Sequence, residues 1–223
     1  MEYSRITNIN DPLFLQMHQL MQDVFPKEEV LEFDLWKEPL EDSGIRVFVA
    51  VHEGNVVGAT EYRYYEDFNV AMTDFTIIGQ AGLGIGPFLA KKRLEDLHAL
   101  ASANDKKLSG MFAEIYDPYR VDHYEFGSVK PMDPYVRREV LAHLGYKRLD
   151  FQYVHPSWNN DGEAVTGLDL CFLPMDGDIN ELHTDLIVKF LKRYYTVLAN
   201  KPESWYTMIE NLEANEKVQL VYF

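Results

Sequence analysis

Three glycines at alternate positions separate an apolar strand from a helix in the middle of this chain. The strand is expected over residues 70–78, the glycines are Gly82, Gly84 and Gly86, and Pro87 opens a helix expected to end at residue 104. Glycine permits positive φ angles and lets backbone N–H groups come close to a ligand. A helix that begins at such a turn directs its free N–H groups and the positive end of its dipole at that ligand. The segment therefore predicts a cradle for a phosphate group.

The spacing of these glycines distinguishes among three known phosphate-binding loops. A dinucleotide fingerprint needs a third glycine three residues after the second, and Pro87 or Leu89 occupies that place. A P-loop needs Lys and then Ser or Thr after its last glycine, whereas Pro87 and Phe88 follow Gly86. The remaining pattern is Arg/Gln-x-x-Gly-x-Gly/Ala. The segment resembles this pyrophosphate loop, which is the signature of the GNAT superfamily of acyl-CoA-dependent N-acyltransferases.

Two further segments resemble the same superfamily. A helix expected over residues 133–144 runs into a Leu-Gly-Tyr sequence at 144–146 and feeds the next strand, and a turn at residues 53–55 predicts an early hairpin. The resemblance covers residues 5–174 and implies a mixed, mostly antiparallel central sheet, splayed between two parallel strands and flanked by helices. The implied acyl-CoA-binding domain is residues 1–174. Residues 175–223 are then a helical C-terminal extension that packs on the core or forms a homodimer contact.

Periodicity and capping residues predict the other elements. Asp11 and Pro12 have the residue types that start a helix, and their positions predict the first helix from residue 12. The expected helices are 12–24, 28–41, 87–104, 133–144, 178–199 and 204–214, and the expected strands are 45–52, 56–65, 70–78, 108–116, 147–155, 165–173 and 218–223. Residues 117–132 contain two prolines and are expected to form a long irregular segment.

The GNAT resemblance implies acetyl-CoA as the co-substrate and places it against the strand end, the loop and the helix start. The residues implied are Thr76, Ile77, Ile78, Gln80, Ala81, Gly82, Leu83, Gly84, Ile85, Gly86 and Lys91. The basic residues 91–93 are expected to attract the anionic coenzyme. Ala81 occupies the place of the superfamily's usual Arg or Gln, and Gln80 lies one residue earlier. Either the loop is shifted by one residue, or the backbone amides act alone.

Acetyl transfer from a thioester to an amine needs a polarised carbonyl and an amine that has lost its proton. Glu114 is the first candidate base because it lies near the C-terminal end of a central strand, where open α/β sheets bind ligands. A carboxylate at such a place is either a base or the buried partner of a cation. Asp74 on the neighbouring strand is the rival base. Leu141 stands where many superfamily members have a tyrosine acid, which leaves Tyr135 as the candidate acid or a reaction without one.

Weaker candidates lie on the long irregular segment: Tyr116, Asp117, His123 and Glu125. The pair His123 and Glu125 lacks further ligands at metal-binding spacing, so we expect no metal. The single cysteine, Cys171, excludes an internal disulfide and is expected to be a buried structural thiol in a reducing compartment.

The composition limits the partners of the protein. A formal net charge of −15 disfavours nucleic acid, which needs a basic surface, and is compatible with a cationic amine. The sequence has no apolar run of about 18 residues, so no membrane span is expected. The N-terminal residues do not resemble a secretory signal, so a cytoplasmic location is expected.

Three functions fit these features. The first is an N-acetyltransferase that moves the acetyl group of acetyl-CoA to a primary amine of a small molecule or amino-acid derivative. The second is a GNAT-like module that binds acyl-CoA without turnover, as a sensor or scaffold, and the residues at positions 81 and 141 favour it. The third is a structural partner protein that uses the helix expected over residues 178–199.

Overall fold

The computed structural model of this 223-residue protein describes residues 1–25, 30–120 and 133–223. These residues form two compact units, which we call unit 1 (residues 1–111 and 133–137) and unit 2 (residues 112–120 and 138–223). Both units combine helices with hydrogen-bonded strands, so the predicted mixed α/β class is confirmed. Among the described helices, none is long and apolar enough to cross a membrane.

Unit 1 contains four strands that lie side by side in chain order. They are β1 (Glu2–Ile6), β2 (Ile45–His52), β3 (Asn55–Tyr65) and β4 (Val70–Ile78). Every neighbouring pair is antiparallel. Residues 47–51 of β2 are all buried, as expected for a strand covered on both faces. The hairpin predicted at residues 53–55 joins β2 to β3.

A β-bulge interrupts the pairing of β3 with β4. Glu61 pairs with Phe75 and Tyr62 pairs with Thr73, so Asp74 is the additional residue between the two partners. Because a bulge changes the direction of side chains locally, it decides which face of β4 each neighbouring residue occupies. The resemblance to the GNAT superfamily implies a bulge near the end of this strand, at residues 75–79, whereas the observed bulge lies earlier, at Asp74.

The first helix of unit 1 begins where its capping residue predicts. In α1 (Pro12–Val24) the Asp11 carboxylate accepts the N–H of Leu13 at 2.8 Å. The prediction of one helix over residues 28–41 is wrong for the described residues 30–41. Phe33–Trp36 is a 3₁₀ turn and α2 is only Lys37–Glu41. Pro39 has no N–H and is tolerated only in a first helical turn, which keeps α2 short.

The helix after the glycine loop is α3 (Ile85–Ala103), close to its predicted bounds. The next helix, α4 (Pro134–His143), is capped by Asp133, whose Oδ1 accepts the N–H groups of Tyr135 at 3.0 Å and Val136 at 3.2 Å.

Unit 2 contains the greater part of β5 (Gly110–Tyr116) and the strands that follow it in the sheet. Those strands are β6 (Lys147–Leu149), β9 (Leu168–Pro174), β10 (Glu181–His183) and β11 (Lys217–Val221), in the lateral order β5-β9-β6-β11-β10. The pairs β6–β9, β11–β6 and β10–β11 are antiparallel. A separate two-stranded ribbon pairs β7 (His155–Pro156) with β8 (Ala164–Val165).

Two strand predictions in unit 2 are wrong in extent. The strand expected over 147–155 divides into β6 and β7, because the chain turns at Asp150, where Phe151 N–H bonds to the Leu149 carbonyl at 3.0 Å. The strand expected over 165–173 begins only at Leu168, because Gly167 has a φ of +83° and ends the short ribbon before it.

Residues 175–223 contribute both helices and strands to unit 2. The helices are α5 (Thr184–Tyr194), shorter than expected, and α6 (Glu203–Glu213), close to its expected bounds. The residues before α5 form β10 rather than helix, because Glu181 pairs with Gln219 across to β11. The tail strand is observed as β11, which pairs with β6 through Leu220 and Leu149.

Candidate functional site

The loop between β4 and α3 in unit 1 has the conformation that its glycines predict. Gly82 has a φ of +85° and Gly84, the residue before the first turn of α3, has a φ of +67°. Among the described residues, no heavy atom beyond the chain neighbours lies within 4 Å of a Cβ built at either glycine. The loop therefore presents two bare backbone positions to open space, which lets a ligand approach the main chain.

The first turn of α3 supplies the hydrogen-bond donors of this loop. In the described structure no side chain caps the helix at Gly84, so the N–H groups of Ile85 and Gly86 have no partner within the helix. The N–H of Phe88 makes the first bond of the helix, to the Gly84 carbonyl at 3.1 Å. Unpaired donors and the positive end of the helix dipole together favour an anion at this place.

Gly86, the third glycine, allows close packing between α3 and β4. A Cβ at Gly86 would meet Ile78 Cδ1 of β4 at 3.0 Å, so this position allows α3 to lie close to the strand. Ile85 and Leu89 pack with Ala50 and Val57 of the sheet in a buried apolar cluster. This cluster fixes the helix start, and therefore the loop, against β2 and β3. Ile78 and Leu83 pack against the same cluster.

The side chain of Thr76 does not face open space at the end of β4. Its hydroxyl accepts a hydrogen bond from Arg93 Nη1 at 2.7 Å, and the same Nη1 donates to Thr60 at 2.9 Å and Thr73 at 3.1 Å. Arg93 is 3% exposed. We expected residues 91–93 to attract the coenzyme. Arg93 is instead buried and links α3 to the strands β3 and β4 through these hydrogen bonds. The backbone groups of Thr76 and its neighbours Ile77 and Ile78 remain the expected coenzyme contacts.

The other loop residues lie on the surface of unit 1. Ala81 and Gln80 are exposed. Gln80 lines a cleft of about 410 Å³ together with Gly79, Leu20 and residues of the β2–β3 turn, including His52 and Asn55. Lys91 is exposed on α3, and its Nζ is 3.8 Å from Glu95. Lys91 therefore lies in the second turn of α3, the helix that begins directly after the bare loop.

Asp74 lies at the β-bulge with an exposed side chain. Its neighbour across the bulge, Glu61, is partly buried, and its pKa is raised well above 4.5 by burial and by the negative charge of Asp74, while Arg63 opposes the shift. The sequence reasoning missed Glu61. The criterion that selected Glu114, a carboxylate within an otherwise apolar strand, applies equally to Glu61 and would have found it.

Glu114 lies in unit 2, on β5, where four polar side chains meet. Its Oε1 accepts hydrogen bonds from the hydroxyl of Tyr195 at 2.7 Å and from the hydroxyl of Tyr153. Its Oε2 is 3.4 Å from Nε2 of His155. The two hydroxyl oxygens are 2.5 Å apart. We call Glu114, Tyr153, His155 and Tyr195 the Glu114 cluster.

Tyr195 of this cluster remains a hydrogen-bond donor at any ordinary pH. Burial raises the pKa of Tyr195 well above 10.0, and the charge of Glu114 adds to the effect. Sequence reasoning missed Tyr153, His155 and Tyr195. They are separated from Glu114 by 39 to 81 positions, and no periodicity links a strand residue to rings at such distances.

The remaining candidates are dispersed. Tyr135 is 49% exposed in the first turn of α4. Tyr116 is partly buried at the end of β5. Although burial opposes the shift, the Tyr119 amide and the side chains of Arg120 and Arg138 lower the pKa of Asp117, which is thereby an ion-pair partner.

His123 and Glu125 lie outside the described residues. Cys171 is fully buried, and burial raises the pKa of its thiol well above 9.0. Within the described ranges no group of three His, Cys, Asp or Glu side chains could hold a metal ion.

Several solved structures resemble this chain. A structure described as a GNAT-family acetyltransferase from Bacteroides thetaiotaomicron has a TM-score of 0.56 and 13% identity, over 90% of this chain and 100% of that one. The ribosomal-protein-S18-alanine N-acetyltransferase of Escherichia coli has a TM-score of 0.52 and 10% identity, over 80% and 97%. The aminoglycoside 6'-acetyltransferase type Ii has a TM-score of 0.51 and 16% identity, over 80% and 100%.

In sequence comparisons no protein-family profile matches the chain, and no curated protein matches it. The similarity therefore lies in the three-dimensional arrangement. It extends over nearly the whole length of each of these three proteins. The chain has the GNAT fold, which confirms the resemblance that its sequence motifs predict.

Proposed function

We propose that this protein is an N-acetyltransferase that transfers the acetyl group of acetyl-CoA directly to a primary amine of a small molecule or amino-acid derivative. The observation that carries the proposal is the bare loop at Gly82 and Gly84, which opens onto the uncapped start of α3 within a GNAT fold. Every helix start has unpaired donors, but a plain strand-to-helix connection does not need the open space in front of them. An anionic diphosphate uses both.

The loop amides of residues 81–86 are the proposed diphosphate contacts. The sequence leaves two alternatives open: a loop shifted by one residue so that Gln80 binds the diphosphate, or a loop in which the backbone amides act alone. We propose the second. Gln80 lines the cleft beside the β2–β3 turn, so its position supports a cradle made by backbone amides alone. Lys91 supplies a nearby exposed positive charge in a protein with a net charge of −15.

The proposed reaction needs no covalent intermediate with the protein. The acceptor ammonium first gives one proton to a protein group, and its nitrogen lone pair then attacks the thioester carbonyl carbon. The new C–N bond forms and the C–S bond breaks, with the electron pair of that bond leaving on the sulfur. The nitrogen, which is then positively charged, loses a second proton to the thiolate or to solvent and becomes the neutral amide nitrogen. A thiolate is a fair leaving group because the pKa of a thiol is about 8.5. A reaction without a dedicated acid is therefore chemically reasonable.

Carboxylates on both units are the candidates for amine binding and proton removal. Glu114 remains the first candidate for the base function, and Asp74 its rival. Glu61 joins them because burial and the Asp74 charge hold its pKa well above 4.5, and a raised pKa suits a carboxylate to take up a proton. The acidic surface of the protein is compatible with a cationic acceptor.

Binding of acyl-CoA without turnover is a second candidate function. The observation that favours it is the partly buried Leu141 in α4, where many GNAT enzymes have their tyrosine acid. Under this hypothesis the loop binds the coenzyme, but no acceptor accelerates thiol release.

One experiment separates these functions. The melting temperature is measured with acetyl-CoA and with longer acyl-CoAs, and a panel of amines is then screened for release of free thiol. The proposal expects an increase in melting temperature and at least one amine that accelerates thiol release. Stabilisation without turnover for any amine indicates the sensor function. No stabilisation by any acyl-CoA contradicts both.

A further inference from the structure

The hydrogen bonds of β3 show which face of the sheet in unit 1 its residues occupy. Thr60 bonds to Arg93 of α3 at 2.9 Å, and Tyr62 bonds to Asp96 of α3 at 2.7 Å. Because side chains alternate along a strand, Glu61 between them lies on the other face. We call this face of the β3–β4 pair, opposite α3, the bulge face.

The β-bulge adds a second carboxylate to the bulge face. In β4, Thr73 and Thr76 bond to the same guanidinium of α3, at 3.1 and 2.7 Å, although strict alternation would put them on opposite faces. The bulge resolves this conflict, because Asp74 and Phe75 together oppose the single residue Glu61. The side chains of Glu61, Asp74 and Phe75 therefore share the bulge face.

Aromatic rings border the two carboxylates. The ring of Phe75 packs edge-to-face with Trp36, at a centroid distance of 6.4 Å, and with Phe25, at 6.5 Å. Phe25 and Phe75 are half-buried, so part of each ring is open to a ligand. Aromatic rings pack against other rings and attract organic cations to their faces.

Trp36 brings a buried hydrogen-bond donor without a partner to the same face. The residue is 4% exposed, and within the described part of the chain its Nε1 has no acceptor. Native proteins leave few buried polar groups unpaired, and an absent ligand is one explanation for those that they do. Because the indole packs against Phe75, the residue after Asp74, this donor is an indication of a ligand on the bulge face that is independent of the carboxylates.

The charges on the bulge face favour a cation. Arg63 lies two residues after Glu61 in β3, but its guanidinium is paired with Asp42 at 2.8 Å. Burial and the charge of Asp74 raise the pKa of Glu61 well above 4.5, and Arg63 only partly opposes them. A positive group bound between Glu61 and Asp74 would relieve their mutual repulsion.

We propose that Glu61 and Asp74 bind the ammonium group of the acceptor, and that the acceptor is a primary amine on an aromatic skeleton without a carboxylate of its own. The inference rests on the proposed acetyltransferase function and narrows its substrate class. The rings of Phe25 and Phe75 contact the aromatic part of the amine. A carboxylate on the acceptor is repelled by both acidic residues, so free α-amino acids are disfavoured.

The bulge face is accessible to a substrate. The side chain of Asp74 is exposed, and Glu61 is only partly buried. The two carboxylates and the three aromatic residues all belong to unit 1, as does the end of β4 on which the thioester arm is expected. The proposed acceptor site therefore depends on the geometry of this unit alone.

Three compounds with one phenol skeleton test the proposal. Tyramine carries the ammonium alone, tyrosine carries an ammonium and a carboxylate, and 3-(4-hydroxyphenyl)propionate carries the carboxylate alone. Their affinities for the full-length protein are measured by calorimetry at pH 8 with CoA present, so that no acetyl group is transferred. We expect tyramine to bind at least about tenfold more tightly than tyrosine, and the propionate not to bind. No binding of tyramine, or equal affinity for tyramine and tyrosine, overturns the inference.

Asp74→Asn and Glu61→Gln each remove one charge with little change in size. Each variant should bind tyramine about tenfold more weakly, the usual effect of losing a hydrogen bond to a charged group, and should discriminate less against tyrosine. Loss of the fold would not explain this result in Glu61→Gln, because that substitution relieves an unfavourable charge at neutral pH.

Asp67→Asn is the matched control, since Asp67 is an exposed carboxylate in the 3₁₀ turn Glu66–Phe68 between β3 and β4. It should keep the wild-type affinity for tyramine. If Asp67→Asn, Asp74→Asn and Glu61→Gln all bind tyramine equally well, the amine is held elsewhere and the inference is overturned.

Nitrogen-15 NMR locates the amine without turnover. Tyramine should shift the amide signals of Glu61, Asp74 and Phe75, and binding that leaves these signals unchanged overturns the inference. If tyramine shifts them but acetyl-CoA acetylates no amine, the proposed function fails while the cation site is supported. If an amine is acetylated without shifting them, the proposed function is supported and the inference fails.

Discussion

Gly58 of β3 lies directly against Ile85, the first residue of α3. A Cβ built at Gly58 would come within 2.4 Å of Ile85 Cγ2 and 2.8 Å of the Ile77 carbonyl oxygen. The absence of a side chain at position 58 therefore lets the uncapped helix start, and with it the glycine loop, lie flush on the sheet.

Gly58→Ala should displace the start of α3. Because one of the two clashing atoms is a backbone oxygen, the neighbours cannot move aside cheaply, and we expect a loss of about 1–3 kcal/mol in the free energy of unfolding. Denaturant titration measures this loss. The same variant should also weaken acetyl-CoA binding, because the loop amides move with the helix.

Gly44→Ala is the control for this prediction. A Cβ at Gly44 would also be close to a neighbour, but that neighbour is the end of the flexible Arg63 side chain at 2.7 Å. We expect less than about 1 kcal/mol of destabilisation, as is usual for surface changes. Equal losses in the two variants would contradict the role given to the Gly58–Ile85 contact.

Gly82→Ala should weaken both the fold and acetyl-CoA binding. Its positive φ costs alanine about 1–2 kcal/mol, and the new methyl group enters the open face of the loop. Gly177→Ala is the matched control, since Gly177 has a φ of +80° and equally open surroundings in unit 2. Both variants should lose similar stability. Calorimetry should find a loss of affinity of about tenfold, or 1.4 kcal/mol, in Gly82→Ala alone.

Arg93→Met should be nearly neutral for both stability and coenzyme binding. The hydroxyls of Thr60 and Thr73 also have backbone carbonyls as hydrogen-bond acceptors, at 3.1 and 3.2 Å, so they remain paired without the guanidinium. The Nε of Arg93 is buried with no hydrogen-bond partner in the described structure, and replacing a buried ion by an apolar side chain of similar volume is often neutral. Denaturant titration should show a change of less than about 1.5 kcal/mol.

Lys91→Met provides the comparison for Arg93→Met. It removes an exposed positive charge from α3, the helix that follows the loop. The loss of acetyl-CoA affinity should be a few-fold at low ionic strength and should disappear at high salt. Salt has this effect because it screens interactions between exposed charges, with a Debye length of about 10 Å at 0.1 M. A salt-sensitive loss in Arg93→Met instead would show that the buried guanidinium attracts the coenzyme.

Glu61→Gln should make the protein more stable at neutral pH. The folded-state pKa of Glu61 is raised above its ordinary value of 4.5, so the folded protein binds more protons than the unfolded chain between these two values. Stability from this group is complete below pH 4.5 and decreases as the pH rises toward the folded-state pKa. Gln stays neutral and avoids that decrease. The free energy of unfolding, measured from pH 4 to pH 8, should show a gain that vanishes at the acidic end.

Asp74→Asn tests whether the charge of Asp74 helps to raise the pKa of Glu61. Removing the charge of Asp74 removes one of the two effects that raise the Glu61 pKa, so the pH-dependent decrease in stability should become smaller. A pH dependence that is the same in wild type, Glu61→Gln and Asp74→Asn would contradict this assignment.

Local signals predicted the elements that frame the candidate loop. An apolar strand, glycines with positive φ and a proline in the first helical turn are features of neighbouring residues, and β4, the loop and α3 are observed where these features indicate. The caps of α1 and α4 were predicted for the same reason.

Long-range contacts explain what the sequence could not predict. Arg93 is buried because it meets hydroxyls 17 to 33 positions away, and no local pattern separates it from exposed Lys91. Glu114 is enclosed by side chains from three distant segments. The helix expected from residue 178 begins at Thr184, because β11 pairs with residues 181–183. In each of these cases a contact between residues far apart in the sequence determines a feature that the neighbouring residues alone do not predict.

The most direct measurement of the central claim is the response of the backbone amides to the coenzyme, observed by nitrogen-15 NMR. We expect acetyl-CoA to shift the amide signals of Gly82, Gly84 and Gly86, and S-acetylpantetheine, which lacks the diphosphate, to leave them unchanged. If acetyl-CoA binds while these three amides keep their positions, the diphosphate is held elsewhere and the account of this loop is wrong.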